Sequence, residues 1–286
     1  MINTGVINRN FIRLLNTGAF GINGEEVEPM SDFKWKRLFD IATTHNVRTY
    51  IAKGVEIHSH DRWFNYKDSV SDITEDLSEV NDIYKNIDRI LRIGVKDVDG
   101  VYTSLSNGRM RKKLERIIYD ETHSDEKNLP ALHLLCIIVY NINMTLTHGM
   151  RMNGIVALGL YLREKGGRVD FVKLDSWLGQ LLMVHFADLL GSVLVDVFGF
   201  EEGEIPFMHH HEDNVEDLIS WTFDNTGEEE ENESYFVQLS SGFIANDRTV
   251  IRRNLKRGLR YMRYYPLETV SNFFSKFFKN LPNVEE

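Results

Sequence analysis

Two aspartates with one residue between them, Asp97 and Asp99, form the carboxylate pair whose spacing best suits metal chemistry. In an extended segment, residues two apart point to the same face. Both carboxylates could therefore hold a divalent cation and orient a nucleoside triphosphate. Gly100 supports a second interpretation, because Asp-Gly is also typical of the tight turn of a β-hairpin. Both interpretations stay open at this point.

Other residues of metal-binding or nucleophilic type lack a suitable arrangement. His209–His211 are adjacent, and adjacent residues of a helix or strand cannot all point at one ion, so a solvated loop is preferred over a metal site. His133, His148 and His185 lie among apolar residues and are expected to be core histidines with satisfied hydrogen bonds. The single Cys136 lies in a strongly apolar stretch and is a poor nucleophile. No cofactor is predicted, since the phosphate-binding, dinucleotide-binding and nucleophile-elbow motifs do not occur.

Charge is unevenly distributed along the chain. Thirteen acidic residues and no lysine or arginine lie between Glu201 and Glu233, whereas seven basic residues and no acid lie between Arg248 and Arg263. These charges could pair within the fold, which is the preferred interpretation. Alternatively, the basic helix faces an anionic partner such as phosphate, RNA or lipid headgroups. The residues proposed for that contact are Arg252, Arg253, Lys256, Arg257, Arg260 and Arg263.

The last predicted helix carries an apolar stripe that continues to Leu281. Its helical spacing places four aromatic side chains on one side, and these form a candidate face for a hydrophobic partner. Such a stripe docks on a core, mediates self-association or lies in a membrane interface. The first two uses are the commoner ones, so peripheral membrane contact is the weaker alternative. The four residues are Phe273, Phe274, Phe277 and Phe278.

Composition excludes several classes of protein. With 33 basic and 43 acidic residues, the net charge of −10 argues against a general nucleic-acid binder, and no sequence-specific nucleic acid is expected as a partner. One cysteine cannot form an intramolecular disulfide. The start of the sequence lacks a basic segment followed by an apolar run, so a cytoplasmic protein is expected. The uncharged stretch from Leu129 to Met150 contains polar residues that are costly in lipid, and a buried core helix is predicted there.

Helical periodicity extends over nearly the whole chain. The most regular pattern is a heptad seam from Val70 to Leu91, which Ile83 and Ile90 widen into the stripe of a globular bundle. An intermolecular coiled coil through this seam is the alternative. Asp170 is expected to cap one helix, and Pro266 to separate the last two.

Residues 94–104 predict a break with at most a small β-hairpin. The expected fold is all-α, a compact multi-helix bundle. We expect residues 1–286 to form a single helical domain, or two lobes, 1–93 and 129–286, joined by 94–128.

Several stretches of this sequence resemble the bacterial family of uncharacterised nucleotidyltransferases. The resemblance implies a helical N-terminus, a nucleotidyltransferase core and a helical C-terminal part. The family's catalytic aspartates would correspond to Asp97 and Asp99. The spacing after Arg92 departs from the family pattern, and about forty residues between the seam and Leu129 are too few for its sheet. The matching stretches are Phe11–Leu15, Phe20–Gly21, Trp35–Leu38, Arg168–Leu178, Leu194–Phe200 and Arg260–Pro266.

These observations lead to two hypotheses of different classes. The first is a non-catalytic helical protein that binds a macromolecular or anionic partner, such as another protein or a second copy of this chain. The second is a metal-dependent nucleotidyltransferase-like enzyme that uses Asp97 and Asp99 as ion ligands.

Overall fold

Helices make up most of the protein. The computed structural model describes residues 5–22, 24–66, 79–224, 236–238, 244–246 and 248–279, and the predicted all-α class is confirmed. Short π-helical turns follow α1 and α4, and a 3₁₀ turn follows α7. Within the described residues the α-helices are α1 (Val6–Leu15), α2 (Asp32–Thr44), α3 (Arg48–His58), α4 (Glu79–Asp88), α5 (Gly108–His123), α6 (Leu129–His148), α7 (Met152–Lys165), α8 (Phe171–Leu181), α9 (Val184–Phe198), α10 (Val215–Asp224), α11 (Arg248–Tyr261) and α12 (Pro266–Lys279).

The centre of the bundle is α6, the helix predicted from the uncharged stretch. Fourteen of its side chains are buried, and it packs against α4, α5, α7, α8 and the last two helices. Among the helices in the described ranges, α6 is long and apolar enough to span a membrane. However, 78% of its most apolar window is buried inside the protein, as expected for a core helix. Length and composition alone are therefore weak evidence for a membrane span.

Polar side chains define where several helices begin. The side chain of Asn107 accepts hydrogen bonds from two backbone N–H groups of α5, and that of Asn128 accepts one from α6. Asp170 Oδ1 accepts a hydrogen bond from Lys173 N at 3.0 Å, so the predicted cap of α8 is confirmed. Pro266 is the first residue of α12, a position that needs no backbone N–H donor. The predicted separation of the last two helices is thus confirmed.

Helices α1 and α3 pack closely because a glycine lies at their contact. A Cβ atom at Gly54 in α3 would overlap the backbone carbonyl of Leu14 in α1. Without a side chain at this position, the two helix backbones can approach each other directly. Phe11 and Leu14 of α1 are fully buried.

Residues 94–104 form a turn without strands. Gly100 adopts a positive φ of 66°, and its N–H donates to the carbonyl oxygen of Asp97 at 3.2 Å. The predicted turn is therefore present, whereas a hairpin is not formed there. The strands in the described residues are β1 (Phe236–Gln238) and β2 (Ile244–Asn246), which pair antiparallel.

The heptad seam is described only in its C-terminal half. Ile83 and Ile87 of α4 are buried against α6 and α7 inside the same chain. This part of the seam is therefore used for intramolecular packing, in agreement with the globular-bundle prediction. Val70, Ile73 and Leu77 lie outside the described residues, so the coiled-coil alternative stays a prediction for them.

Candidate binding surface and ligand pocket

The helices α11 and α12 form a hairpin that is anchored on the bundle. A Cβ atom at Gly258 of α11 would lie 3.5 Å from Thr269 Cγ2 of α12, which places the helix–helix contact at these residues. Tyr261 and Tyr265 are fully buried, and the Tyr265 hydroxyl donates to the carbonyl oxygen of Leu181 at 2.7 Å. The inner side of the hairpin is thus fixed by the bundle.

The outer side of this hairpin is apolar and cationic. Leu255 and Leu259 of α11, and Leu267, Val270 and Phe274 of α12, are between 42% and 60% exposed. Because both helices bury their opposite sides, the two exposed stripes lie on the same outer surface. We call this surface the C-terminal face. It comprises Arg252, Leu255, Lys256, Leu259, Leu267, Val270 and Phe274.

The six candidate basic residues do not share one environment. Arg252 and Lys256 are exposed on the C-terminal face, whereas Arg257 is buried, with 5% of its surface exposed. Arg257 lies on the side of α11 that packs on the protein, so it does not belong to an exposed partner-binding surface. The side chain of Arg253 lies outside the described residues.

The other two basic residues contact the acidic segment of the same chain. Arg263 Nη2 lies 2.9 Å from Glu212 Oε2, and the Arg260 guanidinium lies 4.3 Å from the centre of the Trp221 ring. Glu212 is 7% exposed, so its carboxylate is well placed to gain from a cation. The pair formed by Arg263 and Glu212 therefore agrees with the preferred interpretation of the sequence, in which opposite charges pair within the fold.

The four candidate aromatic residues also differ in what the structure describes of their exposure. Phe274 is 52% exposed, whereas Phe273 is half-buried, and their ring centres are 5.8 Å apart. The side chains of Phe277 and Phe278 lie outside the described residues. Within the described part of α12, Leu267 and Val270 contribute to the exposed stripe together with Phe274.

The carboxylate of Asp97 is hydrogen-bonded to the turn that follows it. Its Oδ2 atom accepts hydrogen bonds from the backbone N–H of Tyr102, the backbone N–H of Thr103 and the hydroxyl of Thr103, each at 2.9 Å. Asp99 is exposed beside the turn. The carboxylate of Asp97 therefore has a structural function, because it closes this turn onto residues 102 and 103.

The three adjacent histidines lie on an exposed loop that is fastened to α8 and α9. His209 Nε2 lies 2.6 Å from Asp175 Oδ1, and His211 Nε2 lies 2.9 Å from Asp196 Oδ1. The backbone N–H of His209 donates to Asp188 Oδ1 at 2.7 Å. The two rings therefore bind separate carboxylates, and no group of three or more metal-ligating side chains is present in the described ranges.

A polar cavity of about 230 Å³ lies where α4, α6 and α7 meet. His133 forms one wall. It is 7% exposed and stacks on Tyr161, with the ring centres 4.7 Å apart. Its Nδ1 atom lies 3.5 Å from Asp88 Oδ1, whereas its Nε2 atom is buried and has no hydrogen-bond partner among the described residues. Burial lowers the pKa of His133 to about 4, so the ring is neutral at pH 7.

Charged side chains surround this cavity. Asp88 also accepts a hydrogen bond from Arg92 Nε at 3.1 Å, and Lys165 Nζ lies 4.0 Å from Glu164 Oε2. Arg168 lines the cavity as well, and in the described part of the chain no carboxylate lies within ion-pair distance of it. The net charge of these lining side chains is therefore positive.

The sequence did not indicate this cavity. His133 was expected to be a satisfied core histidine, and this is wrong for its Nε2 atom, because the aromatic neighbours offer that nitrogen no donor. His185, expected in the core, is exposed on α9, whereas His148 is half-buried. Two features of the sequence could have indicated the cavity. One is a histidine near the start of an apolar helix, and the other is the charged cluster of Glu164, Lys165 and Arg168.

Comparisons with models of known protein families, with characterised proteins and with solved structures find no match to this chain.

Proposed function

We propose that the protein is a helical binding protein that associates with a second copy of itself through the C-terminal face. The observation that carries this proposal is the exposure of Leu255, Leu259, Leu267, Val270 and Phe274 on one side of an anchored helical hairpin. Scattered apolar residues on a surface need no explanation, but a contiguous stripe beside cations is typical of an interaction site.

The size of the stripe supports a binding role. From their exposed fractions, the five side chains together present on the order of 400 Å² of apolar surface, close to the largest patches of monomeric proteins. Burial of the stripe would contribute about 10 kcal/mol per copy before the costs of association, because each Å² is worth about 25 cal/mol. With the surrounding polar rim, the face reaches the scale of one side of a modest interface.

Charge complementarity favours a second copy as the partner. The C-terminal face presents Arg252 and Lys256, whereas the segment around α10 presents the exposed acids Asp213, Glu216 and Asp217. A two-fold symmetric pair can place the basic face of each copy against the acidic segment of the other, so each contact is made twice. Each copy therefore presents both the basic surface and the acidic surface that the proposed interface needs.

The experiment is sedimentation velocity over a concentration series at low and high salt. We expect a reversible dimer that weakens with salt, because part of the contact is ionic. The double variant Leu259→Ser/Phe274→Ser should be monomeric with an unchanged circular-dichroism spectrum, since both side chains are exposed. Val172→Ser, which removes an 83% exposed apolar side chain on α8, is the matched control and should still dimerise.

Three outcomes would overturn the proposal. A wild-type chain that stays monomeric at every concentration has no self-association to explain. A dimer that survives the double variant uses another surface. Binding of the monomer to vesicles of phosphatidylcholine and phosphatidylserine through the same side chains would instead identify the face as a membrane-binding surface.

A further inference from the structure

We infer that the outer side of α5 binds single-stranded nucleic acid without sequence preference. This inference is independent of the C-terminal face, which lies on α11 and α12. It rests on exposed cations that have no carboxylate partner in the described residues, and on a stacked aromatic pair that continues the same row of side chains. We call this surface the α5 stripe. It comprises Arg109, Lys112, Lys113, Arg116, Tyr119 and His123.

Helical spacing collects these side chains on one side of α5. Met110, Leu114 and Ile117 are buried and face the protein. The four exposed cations follow the spacing i, i+3, i+4, i+7, so they lie together on the outer side within about 10 Å along the helix axis. Asp120 is the acid of α5 that shares this spacing. The cations of the stripe therefore outnumber its acid by four to one.

The fold does not use the charge of these cations. In the part of the chain that the structure describes, none of the four lies within ion-pair distance of a carboxylate, and Lys113 Nζ donates to the neutral carbonyl oxygen of Gln180 at 3.0 Å. The first turn of α5 contains no acid, and cations near a helix N-terminus oppose the helix dipole at some cost in stability. Stabilisation of the fold therefore does not explain the pattern, whereas attraction of an external polyanion does.

The neighbouring helix α8 adds no free carboxylate beside the stripe. Glu121, between the two helices, is 8% exposed and is paired with Lys173 Nζ at 2.9 Å. Asp175, two residues further along α8, points to the other side of that helix and binds His209. A phosphate approaching the stripe from α8 therefore meets no unpaired acid of this helix.

Tyr119 and His123 provide a surface on which a base can stack. Their ring centres are 4.2 Å apart with an angle of 25° between the planes, and His123 Nδ1 donates to the carbonyl oxygen of Tyr119 at 2.8 Å. Tyr119 is nevertheless 62% exposed. Exposed aromatic rings beside cations hold unpaired bases of any identity. The aromatic pair therefore favours single-stranded nucleic acid over an acidic peptide or an anionic membrane.

The basic residues of α11 do not form an equivalent surface. Arg257 is buried, Arg263 is paired with Glu212, and Arg260 packs on the Trp221 ring. The net charge of −10 weakens the long-range attraction of the whole chain for a polyanion, so binding depends on local contacts at the α5 stripe. We expect a dissociation constant in the micromolar range at low salt.

The test is fluorescence anisotropy of labelled oligouridylate and oligothymidylate of about twelve nucleotides, titrated with the full chain. Four phosphate contacts to a single strand give a salt slope of about −3, so the wild-type protein should bind about 50-fold more weakly at about 200 mM than at about 50 mM salt. The double variant Lys112→Gln/Arg116→Gln loses two of these contacts. It should bind more weakly at low salt, and the effect of salt should fall to about sevenfold.

The aromatic pair is tested separately from the charges. Tyr119→Ala should weaken binding of both probes about tenfold without changing the salt dependence, because a base stack is lost and no phosphate contact is lost. Tyr119→Phe keeps the ring and should bind like the wild type. Lys53→Gln/Arg89→Gln and Phe33→Ala change exposed side chains elsewhere and are the matched controls, which should leave binding unchanged.

The inference is overturned if the wild-type protein binds neither oligonucleotide at about 100 μM and low salt, or if Lys112→Gln/Arg116→Gln or Tyr119→Ala binds like the wild type. Binding of phosphatidylserine vesicles or polyglutamate in place of the oligonucleotides would identify another kind of partner and would equally contradict it. Loss of self-association in Lys112→Gln/Arg116→Gln would identify the stripe as a contact between copies. Failure to bind nucleic acid leaves the dimer proposal untouched, because sedimentation of the C-terminal face variant tests that proposal separately.

Discussion

The contact that fixes α12 on the bundle is a buried carboxylate, and its removal should cost measurable stability. Glu268 in the first turn of α12 is fully buried, and its two carboxylate oxygens accept the backbone N–H groups of Ser106 and Asn107. The side chain of Asn107 in turn caps α5 and donates to the Ser271 hydroxyl at 3.0 Å. Glu268 therefore connects the start of α5 to the start of α12.

The magnitude follows from these contacts. Glu268→Ala leaves two half-buried N–H donors without their acceptor, at about 1–3 kcal/mol each, and relieves the cost of burying the carboxyl group. We expect a net loss of about 2–3 kcal/mol in the free energy of unfolding. Glu268→Gln keeps one acceptor oxygen but places an amide N–H donor against the other backbone N–H. The free energy of unfolding of this variant should therefore fall by about 1–2 kcal/mol. Glu56→Ala, at an exposed position of α3, should change stability by less than about 0.5 kcal/mol.

The same residue has a defined pH signature. Burial raises the pKa of the Glu268 carboxyl above its usual 4.5, against the backbone hydrogen bonds that lower it. The folded state then binds this proton more tightly than the unfolded state. The resulting stability is present below the ordinary pKa and is lost as the pH rises through the raised one. In Glu268→Gln this component of the pH dependence should be missing.

Urea unfolding followed by circular dichroism measures both effects. The difference in stability between the wild type and each variant is read at pH 7 and over a series from pH 4 upward, with equal slopes as the check for two-state behaviour. A loss below about 1 kcal/mol for Glu268→Ala at pH 7 would refute the reasoning, because two lost acceptors cannot cost so little. The variant should also weaken dimerisation, since α12 carries part of the C-terminal face.

Three further predictions concern other parts of the chain. The hydrogen bond from Arg9 lowers the pKa of Glu28 to about 2. After allowance for solvent screening, about 1–2 kcal/mol of the free energy of unfolding should therefore be lost as the pH falls from about 4.5 to about 2. Acid unfolding of Glu28→Gln should lack this loss. Gly54→Ala should destabilise the fold by about 3 kcal/mol in urea unfolding because the new methyl group meets the Leu14 carbonyl, whereas Gly179→Ala, with open space around it, should be neutral or stabilising. For the nucleotidyltransferase alternative, calorimetry with Mg²⁺ and ATP should give no binding heat, and heat that disappears in Asp97→Asn would instead support Asp97 as an ion ligand.

Much of the architecture was predictable because local chemistry and burial agree. The uncharged stretch from Leu129 becomes the central helix, Asp170 caps α8 and Pro266 opens α12, each through a short-range effect that the sequence displays. The boundary between α8 and α9 was not predictable in this way. There Leu182 adopts a left-handed conformation with φ of 58°, a position that usually selects glycine or asparagine. Tertiary packing overrides the local preference at this residue.

The candidate site was predictable only in part. The pattern on the last helix placed Phe274 in a candidate partner-binding stripe without deciding whether that stripe is exposed or docked on the core, and the basic pattern of α11 could not show that Arg257 is buried. Helical periodicity places residues on a face, whereas the direction of that face depends on what the rest of the chain packs against it. The cavity beside His133 is lined by residues from three separate stretches, 84–92, 129–133 and 161–168, so no local pattern reveals it.

The central claim, that two copies meet through the C-terminal face, is tested most directly by an inter-copy distance measurement. Cys136 is fully buried, and burial raises the pKa of its thiol, so Ser275→Cys provides a single reactive site for a spin label beside Phe274 without replacing a residue of the C-terminal face. Pulsed electron paramagnetic resonance should then give one narrow, short distance between the two labels, and a distinctly longer one for Val172→Cys. No dipolar coupling in a labelled Ser275→Cys protein that sedimentation shows to be dimeric, or a shorter distance at residue 172, would contradict the claim.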